Sequence, residues 1–270
     1  KPRILLVDDE ERILRTLTML LRMQYQVFST TDGHEALKIL QQEKINVLIS
    51  DQRMPTMIGT ELLEKAKNLS PNTVRILLTG YADVEAAMDS VNDGEIFRYI
   101  NKPWGPKELR DTVADAVNIA AKLEKVNVPS FPVPVPAKGL TCLVLDEDVT
   151  VFETVKELLG AQHNVLWRTT IASALTVLAT HPVAVLVTEL QLADGDASIM
   201  IKTLKREYPD LLTIINTCFK DTQRVASLIN QAQVFRYLPK PLRKGLLAKS
   251  LESTLARYKQ LQDVPVLKEA

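Results

Sequence analysis

Short runs rich in leucine and β-branched residues alternate along this chain with longer stretches in which apolar positions recur every three or four residues. In the first half the short runs occupy residues 3–7, 26–30, 47–50, 75–79 and 98–100, lengths that suit buried β-strands. Between them lie helical patterns such as Leu14, Leu17, Leu20 and Leu21, and later Leu109, Val113, Val117 and Leu123. Strand and helix alternating through five units predict a parallel sheet with helices on both faces. In such sheets function gathers at the carboxyl ends of the strands, near the point where strand order reverses.

The second half repeats the first at an offset of 138 positions, without a gap. Asp8 corresponds to Asp146, Thr79 to Thr217 and Lys102 to Lys240. The segment Phe97-Arg98-Tyr99-Ile100-Asn101-Lys102-Pro103 returns as Phe235-Arg236-Tyr237-Leu238-Pro239-Lys240-Pro241, and Pro71 returns as Pro209. A period this long marks a duplicated domain, since solenoid repeats run about 20–50 residues. Between the halves, Pro129-Ser130-Phe131-Pro132-Val133-Pro134-Val135-Pro136 is closed by Gly139. Prolines this dense fix φ and remove backbone donors, so neither helix nor central strand fits. A semi-rigid polyproline-II spacer is preferred over a floppy tether, spanning on the order of 25 Å at about 3.1 Å per residue. The expected domains are 1–125 and 140–262, with the linker at 126–139.

Composition narrows the function classes. Two domains are the natural division of 270 residues. Lys+Arg and Asp+Glu each total 33, so the net charge is zero and nothing electrostatic points to nucleic acid or a membrane surface. Although 46 % of residues are hydrophobic, no run approaches the roughly 20 apolar residues of a spanning helix. Cys142 and Cys218 are too few for a disulfide framework or a metal site, which leads to a cytoplasmic expectation. Lys1-Pro2-Arg3 runs straight into a strand without a signal peptide, and the missing initiator Met suggests an excised fragment.

The strand ends carry the chemistry. Strand one ends at Asp8-Asp9, strand three at Asp51, strand four at Thr79, and strand five leads to Lys102-Pro103. A parallel sheet puts these ends on one rim, where three carboxylates, a hydroxyl and an ammonium converge. Two like charges about 5 Å apart cost roughly 3 kcal/mol at an effective dielectric near 20. Lys102 alone cannot neutralise three carboxylates, so a hard divalent ion with oxygen ligands, Mg²⁺ above all, fits the remainder.

Leu5-Leu6-Val7-Asp8-Asp9-Glu10, Ile49-Ser50-Asp51-Gln52-Arg53-Met54-Pro55, Leu78-Thr79-Gly80 and Asn101-Lys102-Pro103 together resemble the response-regulator receiver family of two-component signalling. The likeness extends over nearly the whole chain twice. It implies two tandem flavodoxin-like (βα)5 doubly wound parallel-sheet domains joined by the Pro-rich linker. It further implies that Asp51 takes a phosphoryl group from a histidine kinase or phosphotransfer protein. Asp9, Asp51 and the backbone carbonyl of Arg53 would hold Mg²⁺, with Asp8 acting through metal-bound water, while Lys102 and Thr79 would contact the phosphoryl oxygens. Tyr99 would rotate toward space vacated by Thr79, although packing is its alternative role. The wider stretch from Arg75 through Trp104 looks like receivers that precede cyclic-di-GMP phosphodiesterase or kinase modules, and no such module lies within these residues.

The second half departs where it matters. Glu189 stands at the position of Asp51, while Asp146, Glu147, Thr217 and Lys240 keep their acid, hydroxyl and ammonium types. The acyl centre of Glu189 sits about one methylene farther out, and displacements near 1 Å cost on the order of 10²-fold in a positioned reaction. A degenerate pseudo-receiver follows, with Glu189 idle, mimicking a phosphorylated state through Lys240, or retaining metal chemistry. A homodimer built through this half is among the expected arrangements, as is a constitutive scaffold without phosphorylation. Nucleotide binding is disfavoured because both first βα turns hold acids where a Gly-rich cradle is needed. No Gly-x-Ser-x-Gly elbow and no DNA-binding helix-turn-helix is apparent. His34, His163 and His181 are expected at solvated or helix-capping positions, Cys218 beside the second pocket, and Trp104 in either packing or partner contact.

Overall fold

A computed structural model of the chain describes residues 1–80, 98–125, 139–218, 225, 227–230 and 234–263. The chain divides into two compact units at the 128/129 boundary. The Pro-rich run expected as a linker lies outside the described residues, as does the segment 81–97.

In the first unit β1 (Arg3–Val7), β2 (Gln26–Thr30), β3 (Val47–Asp51), β4 (Val74–Gly80) and β5 (Arg98–Lys102) form one five-stranded sheet. Its order is β2-β1-β3-β4-β5, with every neighbouring pair parallel. This is the flavodoxin-like order, and its reversal point lies between β1 and β3. Alternation along the strands sorts the core. Ile4, Leu6, Val47, Ile49, Ile76 and Leu78 pack with the apolar stripes of α1 (Glu11–Leu21) and α4 (Pro106–Lys125). The other face is covered by α2 (Gly33–Gln42) and α3 (Gly59–Leu69), which contribute buried Ala36, Leu40, Leu62, Leu63 and Ala66. Leu14, Leu17 and Leu21 recur at helical spacing on α1 and are all buried, as its pattern predicts. Asp32 caps α2 by accepting the Glu35 amide at 2.9 Å. Trp104, left between two roles by the sequence, packs partly buried against this core.

The second unit has the same sheet order. β6 (Thr141–Leu145), β7 (Asn164–Arg168), β8 (Val185–Thr188), β11 (Leu212–Thr217) and β12 (Arg236–Pro239) run β7-β6-β8-β11-β12, all parallel. One face carries α5 (Val149–Leu159) and α8 (Lys244–Asp263), whose leucines and valines close over Cys142, Val144, Val185 and Val187. α6 (Ile171–Thr180) follows β7 and α7 (Ser198–Glu207) follows β8, and residues 225 and 227–230 are also helical. One element is new. Residues 191–192 (β9) and 195–196 (β10) pair antiparallel as a hairpin after β8. Gly195 makes its return with φ +138, a backbone conformation that L side chains rarely adopt.

The expectation for His163 needs correcting. It is buried, and its ring nitrogen Nδ1 has no hydrogen-bond partner among the described residues. It occupies the slot of Tyr25, which is buried in the first core, so packing selected an interior position for a residue expected in solvent. His181, in contrast, is exposed at the end of α6 and shares a hydrogen bond with the Thr180 hydroxyl at 2.9 Å.

Candidate functional site

At the carboxyl rim of the first sheet, strand ends deliver their polar residues to one place. β1 hands over Asp8 and Asp9, β3 ends on Asp51, and β5 ends on Lys102. Asp8 is fully buried and Asp51 is 6 % exposed, positions where a carboxylate survives only with partners. Lys102 Nζ provides one to both, lying 2.9 Å from Asp8 Oδ2 and 2.7 Å from Asp51 Oδ1. The remaining oxygens take backbone donors: the Glu10 amide on Asp8 Oδ1 at 2.9 Å and the Arg53 amide on Asp51 Oδ2 at 3.0 Å. Burial works against the Lys102 charge, yet its bonds to Asp51 and Asp8 outweigh that and hold its pKa above the ordinary lysine value.

Asp9 is exposed and completes the group. One carboxylate oxygen from each of Asp8, Asp9 and Asp51 lies within 4.8 Å of the others, the one such group of three among the described residues. An all-oxygen donor set with a net charge deficit fits a hard divalent cation. The fit rests on geometry and charge together, since one ammonium faces three carboxylates.

Thr79 is fully buried near the end of β4, and its hydroxyl donates to the Gly80 carbonyl at 3.2 Å. Tyr99 sits on β5 across from Leu77, its ring buried, and burial pushes its hydroxyl pKa up. Gly59, missed in the sequence, and Gln52, given no role there, shape the rim from behind. The Gly59 amide donates to the Gln52 carbonyl at 3.0 Å, and the Gln52 side chain accepts the Thr60 amide at 3.1 Å. A Cβ on Gly59 would stand 2.1 Å from the Asp51 carbonyl oxygen, so only glycine lets α3 begin this close to the acceptor strand. A glycine eight residues after Asp51 was a readable signal.

The second rim keeps half of this arrangement. Lys240 Nζ contacts Asp146 Oδ2 at 2.9 Å and Glu189 Oε2 at 2.8 Å, and these contacts raise its pKa against the opposing effect of burial. Burial also pushes the Asp146 carboxyl up, with Lys240 pulling the other way. Glu189, 8 % exposed, turns its other oxygen back onto its own loop and accepts the Leu190 amide at 2.7 Å. Glu147 does not join this cluster. Its longer side chain accepts the backbone amide of Ala193 instead. Thr217 is buried at the end of β11, and Cys218 beside it is exposed.

The response regulator receiver domain model matches residues 4–114. Over 116 residues the chain is 36 % identical to the hydrogenase transcriptional regulatory protein HoxA of Bradyrhizobium diazoefficiens, covering 43 % of this chain and 24 % of that protein. The chain therefore spans about a quarter of the length of the hydrogenase regulators it matches. Sporulation initiation phosphotransferase F of Bacillus subtilis is 30 % identical over 112 residues, covering 41 % of this chain and 90 % of that protein. The signal receiver domain of an HD domain-containing protein from Pseudomonas fluorescens is 36 % identical, covering 46 % of this chain and 93 % of that one, with a TM-score of 0.45. Through residues 4–114, the chain belongs to the response regulator receiver family.

Proposed function

We propose that the first unit is the phosphoacceptor of a two-component pathway, taking a phosphoryl group from a phosphohistidine donor onto Asp51. One observation carries this reading: Lys102 is bonded to both Asp8 and Asp51 while Asp9 opens the same cluster to solvent. An Asp51 carboxylate oxygen attacks phosphorus, the P–N bond of the donor breaks, and the imidazole recovers a proton. Asp8, Asp9, Asp51 and the Arg53 carbonyl would hold Mg²⁺, which when bound supplies positive charge beside the phosphoryl oxygens.

The chain's own groups account for the rest. The Arg53 amide fixes one oxygen of Asp51 and so orients the other. Lys102, already against Asp51, follows the charge as it moves onto the phosphoryl oxygens. The Thr79 hydroxyl exchanges its 3.2 Å contact with the Gly80 carbonyl for a stronger acceptor. Tyr99 then moves within the space released, and the surface formed around β4 and β5 passes the change to a partner protein or output module. The donor is a histidine kinase or phosphotransfer protein.

In the second unit Glu189 takes no phosphoryl group, and this unit serves as a regulatory or dimerising pseudo-receiver. A constitutive scaffold is the competing reading for this unit alone, favoured by Glu147, whose carboxylate accepts the Ala193 amide and so is turned away from the acid pair. Beryllofluoride with Mg²⁺ tests the first unit: it binds the intact chain and is lost in Asp51→Asn. Binding retained by that variant contradicts the assignment.

A further inference from the structure

Several differences between the two rims converge on one loop of the second unit. At the 138-residue offset, Asp9 becomes Glu147 and Pro55 becomes Ala193. Proline has no backbone donor, whereas Ala193 has one, and glutamate is one methylene longer than aspartate. The two changes meet, because the Glu147 carboxylate accepts the Ala193 amide. A carboxylate that would face a cation is thereby turned onto the loop.

Further contacts hold the same loop. Asp194, standing where Thr56 stands in the first unit, accepts the Ile171 amide at 3.0 Å and the Ala172 amide at 3.2 Å. Residues 191–192 and 195–196 pair as a hairpin, with Ala193 and Asp194 in the turn. Glu189 Oε1 takes the Leu190 amide at 2.7 Å while Oε2 takes Lys240 at 2.8 Å. The first unit has no hairpin at the corresponding residues, and its Asp9 remains exposed beside Asp8 and Asp51.

We infer that Glu147 and Ala193 form a lock that replaces the divalent cation at the second rim, holding residues 189–197 in one arrangement without any ion. Glu189 alone is not the cause of the loss. Restoring aspartate at 189 leaves Glu147 committed to Ala193, so the donor set stays incomplete. Reverting the lock as well, in Glu147→Asp/Ala193→Pro/Glu189→Asp, frees an acid and removes the amide that held it.

This inference rests on the reading that Asp8, Asp9 and Asp51 take a divalent cation. Equilibrium dialysis of the whole chain against Mn²⁺ counts ions per molecule, and amide exchange followed at Ala193 reads the lock directly. One ion is expected for the unsubstituted chain and for Glu189→Asp, and two for the triple variant. Ala193 is expected to exchange about tenfold faster in Glu147→Ala, as loss of a charge-assisted hydrogen bond predicts. Its protection in the unsubstituted chain should be the same with and without Mn²⁺. Two ions in the unsubstituted chain or in Glu189→Asp overturn the lock, as does one ion in a triple variant with native circular dichroism. Should the triple variant lose its fold, the exchange comparison decides, and equal rates in Glu147→Ala and the unsubstituted chain overturn the lock. No ion in the unsubstituted chain, with Ala193 still protected, counts against the first-unit cation reading and leaves the lock standing.

Discussion

Lysine bridges two acids at both rims, and the contacts are nearly equal in length: 2.9 and 2.7 Å from Lys102, 2.9 and 2.8 Å from Lys240. What separates the rims lies outside those pairs. The first leaves Asp9 exposed and its acceptor loop free of a hairpin, while the second spends Glu147 and Asp194 on its own backbone amides. On the proposed reading the exposed third acid, Asp9, marks the reactive rim, and one sheet order carries both arrangements.

Removing the bridging lysines should have the largest and most unequal effect on the two units. Lys102→Met should slow phosphoryl uptake from acetyl phosphate by about 10² or more, as loss of a preorganised cationic contact does elsewhere. Lys240→Met should leave uptake unchanged but destabilise the second unit by about 2 kcal/mol, because a part-buried acid pair loses its counter-charge. Intact-mass time courses read the first effect, and unit-resolved hydrogen exchange in urea reads the second. A fall in uptake with Lys240→Met would make the two rims chemically alike.

A smaller contrast concerns the starts of α3 and α7. Gly59→Ala brings a Cβ to within 2.1 Å of the Asp51 carbonyl oxygen, so the strand end must shift. We expect a loss of about 1–3 kcal/mol in the first unit, with slower uptake, as overpacking typically costs. The second unit already carries an alanine there, Ala197, whose amide still reaches the Leu190 carbonyl at 2.9 Å. Ala197→Gly should change stability by less than about 1 kcal/mol. Equal effects in the two directions would show that the close approach at Gly59 plays no special part.

The smallest effect is a pH dependence confined to the second unit. Burial lowers the pKa of His163 below the ordinary 6.5, so the unfolded chain binds a proton more readily than the folded one. The stability associated with the neutral ring is fully present above 6.5 and is lost as pH falls through the lowered folded value. His163→Tyr, which restores the Tyr25 type, should remove this acid sensitivity between pH 7 and 5. Denaturation midpoints at a series of pH values check it, and an unchanged slope would mean that His163 does not titrate with unfolding.

Much of this architecture could be read before any coordinates. The expected strand at 75–79 lies within β4 (Val74–Gly80), and the apolar stripe Leu14, Leu17, Leu21 is the buried face of α1. Periodicity reports burial, and burial is what these elements share. The gapless offset also puts Glu189 at the position of Asp51, and the two sheets have the same strand order. Details set by side-chain reach were hidden. That Glu147 would leave the acid cluster for the Ala193 amide depends on one methylene and one available donor in a loop without apolar rhythm. His163 misled for a related reason: a residue near a helix end reads as solvated unless its equivalent Tyr25 is compared. Gly59 was visible as a letter, but its meaning comes from the distance to the Asp51 carbonyl.

Which rim accepts a phosphoryl group is the difference that matters most between the two units. Intact mass of the whole chain after acetyl phosphate and Mg²⁺ measures this most directly. It should show one added phosphoryl group per molecule, lost in Asp51→Asn and retained in Glu189→Gln. Two groups per chain, or one that survives Asp51→Asn, would contradict it.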